Sequence, residues 1–576
     1  MEKLSRYSHC CHPRKSFRLY PLALLVVALS SLPGVAAFVP HFATGAQQQQ
    51  HNYALQAAKP DKEVDCLVVG SGISGASLAF NLVHNHNLDN VLLVEANSVT
   101  GGNLISKEND EGFVWEEGPN SFQPTPYLCR LIHETNTTAD LVLADASLPR
   151  FVYWHGQGAG QKLANLHALP TNLPGDLLDF NLLTWPGKIR AALGASALWL
   201  DPPPDDENKE ESIREFVTRH LGAETFARVI DPFVSGVYAG DPDALAMRAA
   251  LKKIHRLEGM GSLGPGLVSG GLARMAEIAQ EKKDNPPDPA WPTYAGGQLG
   301  SFQKGLQTLV TAIEGYLGKE KVWTKAGVVS MAKDSDKEGF YSVKLANGKT
   351  VRAKSVCVTS PTRVTCKIAS DLVPAAARLS EVYSPPVASV TMAYKKEWFR
   401  DLPGGTKEEP LKGFGHLLPR AMGIRSLGTI WSSSLFPNRA PEGWELLLTY
   451  IGGARDTAIA DLSDDELYEQ VDADNHKILL RPDAPEGKRV GCRLWQTAIP
   501  QYRKGHLEIL DALEKDEAKC PGLYLGGNYR TGVAFGDCVQ FGWTQAETIA
   551  EYLKENGKED EKPSEKNDKK VAATVA

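Results

Sequence analysis

Six consecutive residues, Gly70-Ser71-Gly72-Ile73-Ser74-Gly75, carry glycine at the first, third and sixth places, and an acid, Glu95, follows twenty residues after the last of them. That spacing suits a dinucleotide. Gly70 permits a tight turn, Gly72 lets a pyrophosphate approach the backbone, and Gly75 lets a helix pack closely on a strand. The helix N-terminus favours the phosphate charge, and Glu95 can accept hydrogen bonds from a ribose. Ala96 follows the acid, and Gly101-Gly102 come soon after, a second place where backbone can approach the same ligand. By itself the glycine pair also reads as an ordinary turn.

These residues need a strand, a glycine turn, a helix and a second strand to bring them together. Cys66-Leu67-Val68-Val69 is a short apolar run, Ala76 to Val83 has helical composition, and Val91 to Val94 is a second buried-strand candidate ending on the acid. A second match to the glycine spacing, Gly259 to Gly264, follows the helical stretch Leu251–Glu258 and precedes Pro265. No buried strand feeds it, so it is expected to be a loop.

Composition excludes several classes. The chain has 576 residues, 42% hydrophobic and 23% charged, which is ordinary for a globular protein with a sizeable core. The net charge is −7, and residues 61–576 hold 56 basic against 68 acidic residues, a net charge of −12. Such a body is a poor general polyanion binder, so no nucleic-acid partner is expected. The nine cysteines show no CxxC pair and offer neither a zinc site nor a small disulfide framework. No metal site and no nucleophilic triad are visible.

The first 60 residues read as a targeting leader. Arg6, Arg14, Lys15 and Arg18 precede the apolar run Leu22–Leu29, and Val35 and Ala37 occupy the −3 and −1 positions of a cleavage before Phe38. The segment from Phe38 to residue 60 contains no acid, and the two-part pattern resembles the plastid leaders of algae with secondary plastids; plain secretion is the competing reading. Residues 554–576 are dominated by Lys, Glu, Asp and Asn and are expected to be a disordered tail.

Ordered segments along the chain resemble plastid-type protoporphyrinogen oxidases, FAD enzymes of the amine oxidase-like superfamily. They are Glu116-Glu117-Gly118-Pro119-Asn120-Ser121-Phe122, Ser235 to Pro242, Leu411-Lys412-Gly413-Phe414-Gly415, Ser432 to Pro441, Ala498-Ile499-Pro500-Gln501 and Leu525-Gly526-Gly527-Asn528-Tyr529. The resemblance implies an α/β fold of mixed α+β character. A Rossmann-like FAD-binding domain is assembled from residues 61–126, 291–360 and 491–553. Residues 127–290 would form a substrate and helical membrane-associating region, and 361–490 a mixed-sheet substrate domain. Val351 to Thr359 would return a strand to the first sheet, and Gly522 to Gly527 would supply its last one.

The implied reaction is oxidation of protoporphyrinogen IX to protoporphyrin IX in haem and chlorophyll synthesis, with O2 reoxidising FAD and H2O2 as product. The flavin takes the electrons, so no protein catalytic residue is assigned. The resemblance implies that Arg150 binds a propionate, that Val387, Leu411 and Trp431 flank the rings, and that the backbone of Gly236 faces the substrate. For FAD it implies Gly70, Ser71, Gly72, Ile73, Ser74, Gly75, Glu95, Ala96, Gly101, Gly102, the loop Gly118-Pro119-Asn120-Ser121, Val328 at the adenine, and Gly532-Val533-Ala534 along the ring system. Trp495 reads as a residue near the flavin or as core. Two departures stand out: Asn97-Ser98-Val99-Thr100 lacks the family's arginines, and Asp537 stands where arginine is usual.

The resemblance implies peripheral membrane contact, for which the apolar stretch Leu177–Trp185 is the candidate, with a buried helix edge as the competing reading, and a homodimer is compatible with the family. The competing functions are an amine oxidase or carotenoid desaturase of the same superfamily, or a protein that holds FAD or porphyrin without turnover.

Overall fold

A computed structural model describes residues 59–557 except 157–162, 172–175, 177–178, 202–209 and 262–265. The leader through residue 58 and the tail from residue 558 lie outside the described residues, as do Leu177 and Leu178.

Lys62–Val69 ends in four buried residues and pairs in parallel with Val91–Val94 on one side and Thr350–Val358 on the other. Such apolar runs, without alternation, fit strands covered on both faces. The full order across this sheet is Val328–Lys333, Tyr341–Leu345, Thr350–Val358, Lys62–Val69, Val91–Val94 and Val322–Trp323. Leu523–Leu525 also pairs in parallel with Thr350–Val358. The returning strand and the last strand therefore stand where the sequence puts them.

The helix Ile73–His84 leaves the first strand at the glycine turn and packs beside the C-terminal helix Phe535–Gly557. Gly542 makes that contact close: a Cβ there would stand 2.1 Å from Ser77 Oγ. Because the C-terminal helix runs to Gly557, Lys554–Gly557 are helical rather than part of a tail.

The second sheet runs Lys488–Trp495, Val387–Lys395, Trp444–Gly452, Ser426–Trp431, Gly415–Leu417, Arg150–Tyr153 and Leu166–Ala168. Its two faces serve different neighbours. Val152, Val387 and Leu427 pack toward the helical layer, while Phe151, Ala388, Val390 and Trp431 pack into a separate core that includes Leu467 and Val471 of the helix Asp464–Ile478.

Residues 185–284 build the helical layer. Its helix Ile213–Leu221 starts with a reciprocal cap, Ser212 Oγ accepting from Glu215 N while the Glu215 carboxylate accepts from Ser212 N. Phe180, Leu182 and Leu183 are buried in this layer's core, so this part of the stretch Leu177–Trp185 takes the buried reading, whereas Trp185 at its end is 61% exposed. The exposed apolar side chains of this layer are Trp185, at the end of that stretch, then Ile189, Leu198 and Trp199, and on the helix Leu267–Asp284 Leu272, Met275 and Ile278. No helix among the described residues is long and apolar enough to cross a membrane. Lys252–Met260 is a helix, so the second glycine match begins inside a helix and no strand leads into it; residues 262–264 of the expected loop lie outside the described residues.

Candidate active site

The glycine turn is built as its spacing requires. A Cβ on Gly75 would stand 1.9 Å from Gly70 O and 2.7 Å from Thr359 Oγ1, so only glycine lets this helix sit on its strand. Nothing lies within 4 Å of the place where a Cβ on Gly72 would be, leaving the helix mouth open to a ligand. Gly102 closes on the same point, 3.1 Å from the Gly72 Cα by the same construction, and Gly101 N donates to Ser71 O at 3.1 Å. The two glycine segments form one cradle.

Glu95 stands beside it, 6% exposed. Oε2 accepts from Ser71 N and Oγ at 3.0 and 2.7 Å, and Oε1 accepts from Asn97 N and Nδ2, both at 2.9 Å. Ser71 and Asn97 thus hold the acid; Ser71 has a buried structural part rather than a side chain turned to a ligand. Asn97, the first residue of the arginine-free segment Asn97–Thr100, acts on the acid. Ala326 N donates to Glu95 O at 2.8 Å, and Val328 begins its strand two residues later. Ala96 lies against Gly327, where a Cβ would be 3.1 Å from the Ala96 Cβ. Ala96 and Val328 therefore border the same end of the cradle as the acid.

From the cradle the chain leads to Gly118-Pro119-Asn120-Ser121, all buried. Tyr450 donates to Gly118 O at 2.9 Å and Trp495 Nε1 to Glu117 O at 2.9 Å, tying this loop to the second sheet. Trp495, 1% exposed, is core that supports the loop. Asn120 Nδ2 is buried without a partner among the described residues, and Asn120 and Ser121 line a cavity. An open glycine cradle leading to an unsatisfied amide fits a long dinucleotide cofactor.

The cavity runs between the second sheet and the helix Asp231–Tyr238 and is walled by Phe233, Val237, Leu299, Val387, Leu417, Leu427 and Ile430. Arg150, Gly236 and Val387 all line it. At Gly236 the wall is tight, since a Cβ would stand 2.4 Å from Leu417 Cδ2. Arg150 is the one arginine or lysine on this wall among the described residues. It has no carboxylate partner there; Nη2 donates to Gly297 O at 2.9 Å and the guanidinium lies 5.5 Å from the Phe414 ring centre. Burial lowers its pKa, yet an arginine remains cationic.

Leu411 and Trp431 require correction. Both are buried in the core behind the sheet, and neither lines the cavity. Trp431 is 0% exposed, lies 5.4 Å from the Phe151 ring centre, and donates through Nε1 to His416 Nδ1 at 3.3 Å. Successive residues of a strand face opposite ways, so Ile430 reaches the cavity where Trp431 cannot. Phe414 takes the place expected of Leu411. Sequence reasoning missed Phe414, Ile430 and Phe233 because apolar residues occupy both faces of this wall.

Gly532-Val533-Ala534 precede the C-terminal helix and border a second cavity with Tyr238, Tyr502 and His506. Cys538 Sγ approaches Gly532 O at 3.7 Å, within the helix that packs on the glycine-turn helix. Asp537 is balanced by Lys253, Nζ to Oδ1 3.5 Å, which answers the charge reversal at this position.

Residues 73–550 match the family model for flavin-containing amine oxidoreductases. The chloroplastic protoporphyrinogen oxidase of rice (Oryza sativa subsp. japonica) is 44% identical over 495 residues, 85% of this chain and 88% of the rice protein. The chain belongs to the protoporphyrinogen oxidase family. Protoporphyrinogen oxidase 1, chloroplastic, of Spinacia oleracea is 40% identical over 561 residues, 95% of each chain. A crystal structure titled putative protoporphyrinogen oxidase from Exiguobacterium superposes with a TM-score of 0.65 at 24% identity, covering 85% of this chain and 99% of that one, and shows the same fold. The family is flavin-dependent, and FAD is the cofactor that the cradle suits.

Proposed function

We propose that this protein oxidises protoporphyrinogen IX to protoporphyrin IX, using O2 and releasing H2O2, in the plastid branch of haem and chlorophyll synthesis. The observation that carries the substrate is Arg150: the one guanidinium, with no acidic partner among the described residues, in the wall of a mainly apolar cavity. A flat hydrophobic macrocycle bearing carboxylates at one edge matches that wall, and a guanidinium engages a carboxylate bidentately.

FAD, when bound, accepts the electrons removed from the substrate and delivers them to O2. The chain binds, orients and excludes water. Gly70–Gly75, Glu95, Ala96, Gly101, Gly102 and Val328 would hold the adenosine and phosphate end, and Gly118–Ser121 with Gly532–Ala534 the ring system. Val387, Gly236, Ile430 and Phe233 would press on the macrocycle and keep its reacting edge dry, while Arg150 fixes which edge enters. Residues 61–126, 291–360 and 491–553 would act as the flavin domain and 361–490 as the core of the substrate domain.

Plastid import would proceed through the two-part leader in residues 1–60. Membrane contact would use Trp185, Ile189, Leu198 and Trp199 with Leu272, Met275 and Ile278, exposed apolar residues of a kind that enter an interface. The test of function is porphyrin fluorescence under air from residues 61–576 with protoporphyrinogen IX, corrected for spontaneous oxidation and compared with flavin-stripped protein. Flavin-dependent growth supports the reading; its absence in protein loaded with FAD ends it. Flotation with lipid vesicles, repeated with Trp185 and Trp199 changed to Ser, tests the membrane surface.

A further inference from the structure

Arg150 is held by a segment that no part of the proposed chemistry has used. Residues 285–299 connect the helix Leu267–Asp284 to the strand Gly300–Phe302 and include four prolines, at 286, 287, 289 and 292. Near its end the chain folds into a closed turn: Gln298 N donates to Ala295 O at 3.1 Å, and Ala295 N donates to Gln298 Oε1 at 2.9 Å. Gln298 Nε2 then donates to Ala144 O at 2.8 Å, fastening the turn to the segment that leads into Arg150. Leu299, the next residue, is part of the cavity wall.

Gly297 sits in this turn with φ +78°, a left-handed conformation, and directs its carbonyl to Arg150 Nη2 at 2.9 Å. Places where a Cβ would be added at Gly296 and Gly297 are empty to 4 Å. The turn therefore needs glycine at 297 for its backbone conformation and not for room.

We propose that the Ala295–Gln298 turn is a positioning device for Arg150, its Gly297 carbonyl holding one N–H so that the remaining donors face the substrate carboxylate. The inference rests on the reading of Arg150 as the propionate partner. An arginine side chain has much rotamer freedom to lose on binding, and fixing it beforehand lowers that cost. A carbonyl can do this without neutralising the guanidinium, whereas a carboxylate at the same place would compete with the substrate.

The empty surroundings make a clean test in the FAD-loaded enzyme. Gly297→Ala adds no clash but disfavours φ +78°; Gly297→Asn restores a residue that tolerates it; Gly296→Ala is the neighbouring control. We expect Gly297→Ala to raise KM for protoporphyrinogen IX and Kd for protoporphyrin IX roughly tenfold, with kcat unchanged, as for losing a charge-assisted hydrogen bond. Gly297→Asn and Gly296→Ala should stay within about twofold of the parent. In an Arg150→Ala background, Gly297→Ala should add nothing.

If Arg150→Ala weakens porphyrin binding and Gly297→Ala does not, or if Gly297→Ala tightens it, the positioning role is overturned. If Arg150→Ala leaves both constants unchanged, the propionate reading itself fails and takes this inference with it. Thermal unfolding of each variant separates a local change in the turn from a lost fold.

Discussion

Ser71 gives a single oxygen of Glu95 two hydrogen bonds, one from its amide and one from its hydroxyl, at 3.0 and 2.7 Å. The residue between the first two glycines of the turn thus aims the acid that follows the second strand. Ser71→Ala keeps the amide bond and removes the hydroxyl. A hydrogen bond to a charged group contributes about 1.5–3 kcal/mol, so FAD affinity should fall about tenfold while the porphyrin cavity is unchanged. Titration of apoprotein with FAD, followed by flavin fluorescence, checks this; an unaltered Kd would show that the acid needs no such support.

Gly72 and Gly75 separate binding from folding. Gly72→Ala meets nothing in the protein, and its φ of −60° suits alanine, so stability should stay within about 0.5 kcal/mol while FAD affinity drops, the methyl occupying the phosphate's approach. Gly75→Ala places a methyl 1.9 Å from Gly70 O, and the helix must move. Overpacking of this kind costs about 1–3 kcal/mol, visible as a lower urea midpoint even without FAD. Equal stability losses in the two variants would refute the division.

The helical layer contains a pH-sensitive knot. Burial alone would raise the Glu258 carboxyl, but the His220 imidazole, with Nε2 3.3 Å from Oε1, and the hydrogen bonds and charge of the Arg219 guanidinium outweigh it and hold the pKa down to about 2. An acid whose folded pKa lies below its unfolded value contributes stability above the unfolded value, and that contribution is lost as pH falls. For Glu258 the window runs from about 4.5 down to about 2. The loss should be on the order of 2 kcal/mol, allowing for partial solvent screening. Urea unfolding at stepped pH should show a shallower decline across that window for Glu258→Gln than for the parent; identical slopes would count against the knot.

The parts of the fold legible in the sequence were those where one residue type is needed for a local reason. Gly75 is forced by Gly70 O, Glu95 ends a buried strand, and the runs at 351–359 and 522–527 return to the first sheet. The side of a two-faced strand was less legible. Ser426–Trp431 is buried along almost its whole length, so no polar alternation marks which residues face the cavity, and only the partner strands decide it. The apolar stretch at 180–185 carried the same ambiguity: hydrophobicity there served a core through Phe180 and Leu182, and exposure began at Trp185. Gly297 gave no signal at all, because its partner lies 147 residues away and the contact uses a backbone carbonyl.

Ile430 and Trp431 provide the sharpest check on the assignment of faces. Ile430 lines the cavity, whereas Trp431 does not: it is wholly buried against Phe151 and His416, which stand in the cavity wall themselves. Ile430→Ala should enlarge the porphyrin site and raise KM several-fold while leaving FAD content intact. Because one side of the residue is already cavity, its stability cost should fall at or below the about 2–5 kcal/mol typical of a fully packed isoleucine. Trp431→Ala instead leaves a hole in a closed core and should cost about 3–5 kcal/mol, with kinetic constants near the parent's in whatever fraction stays folded. Urea midpoints together with KM and kcat, all measured on the FAD-loaded enzyme, distinguish the two. A Trp431 variant that is stable but fails to bind porphyrin, beside an Ile430 variant that binds normally, would reverse the faces and return the tryptophan to the substrate.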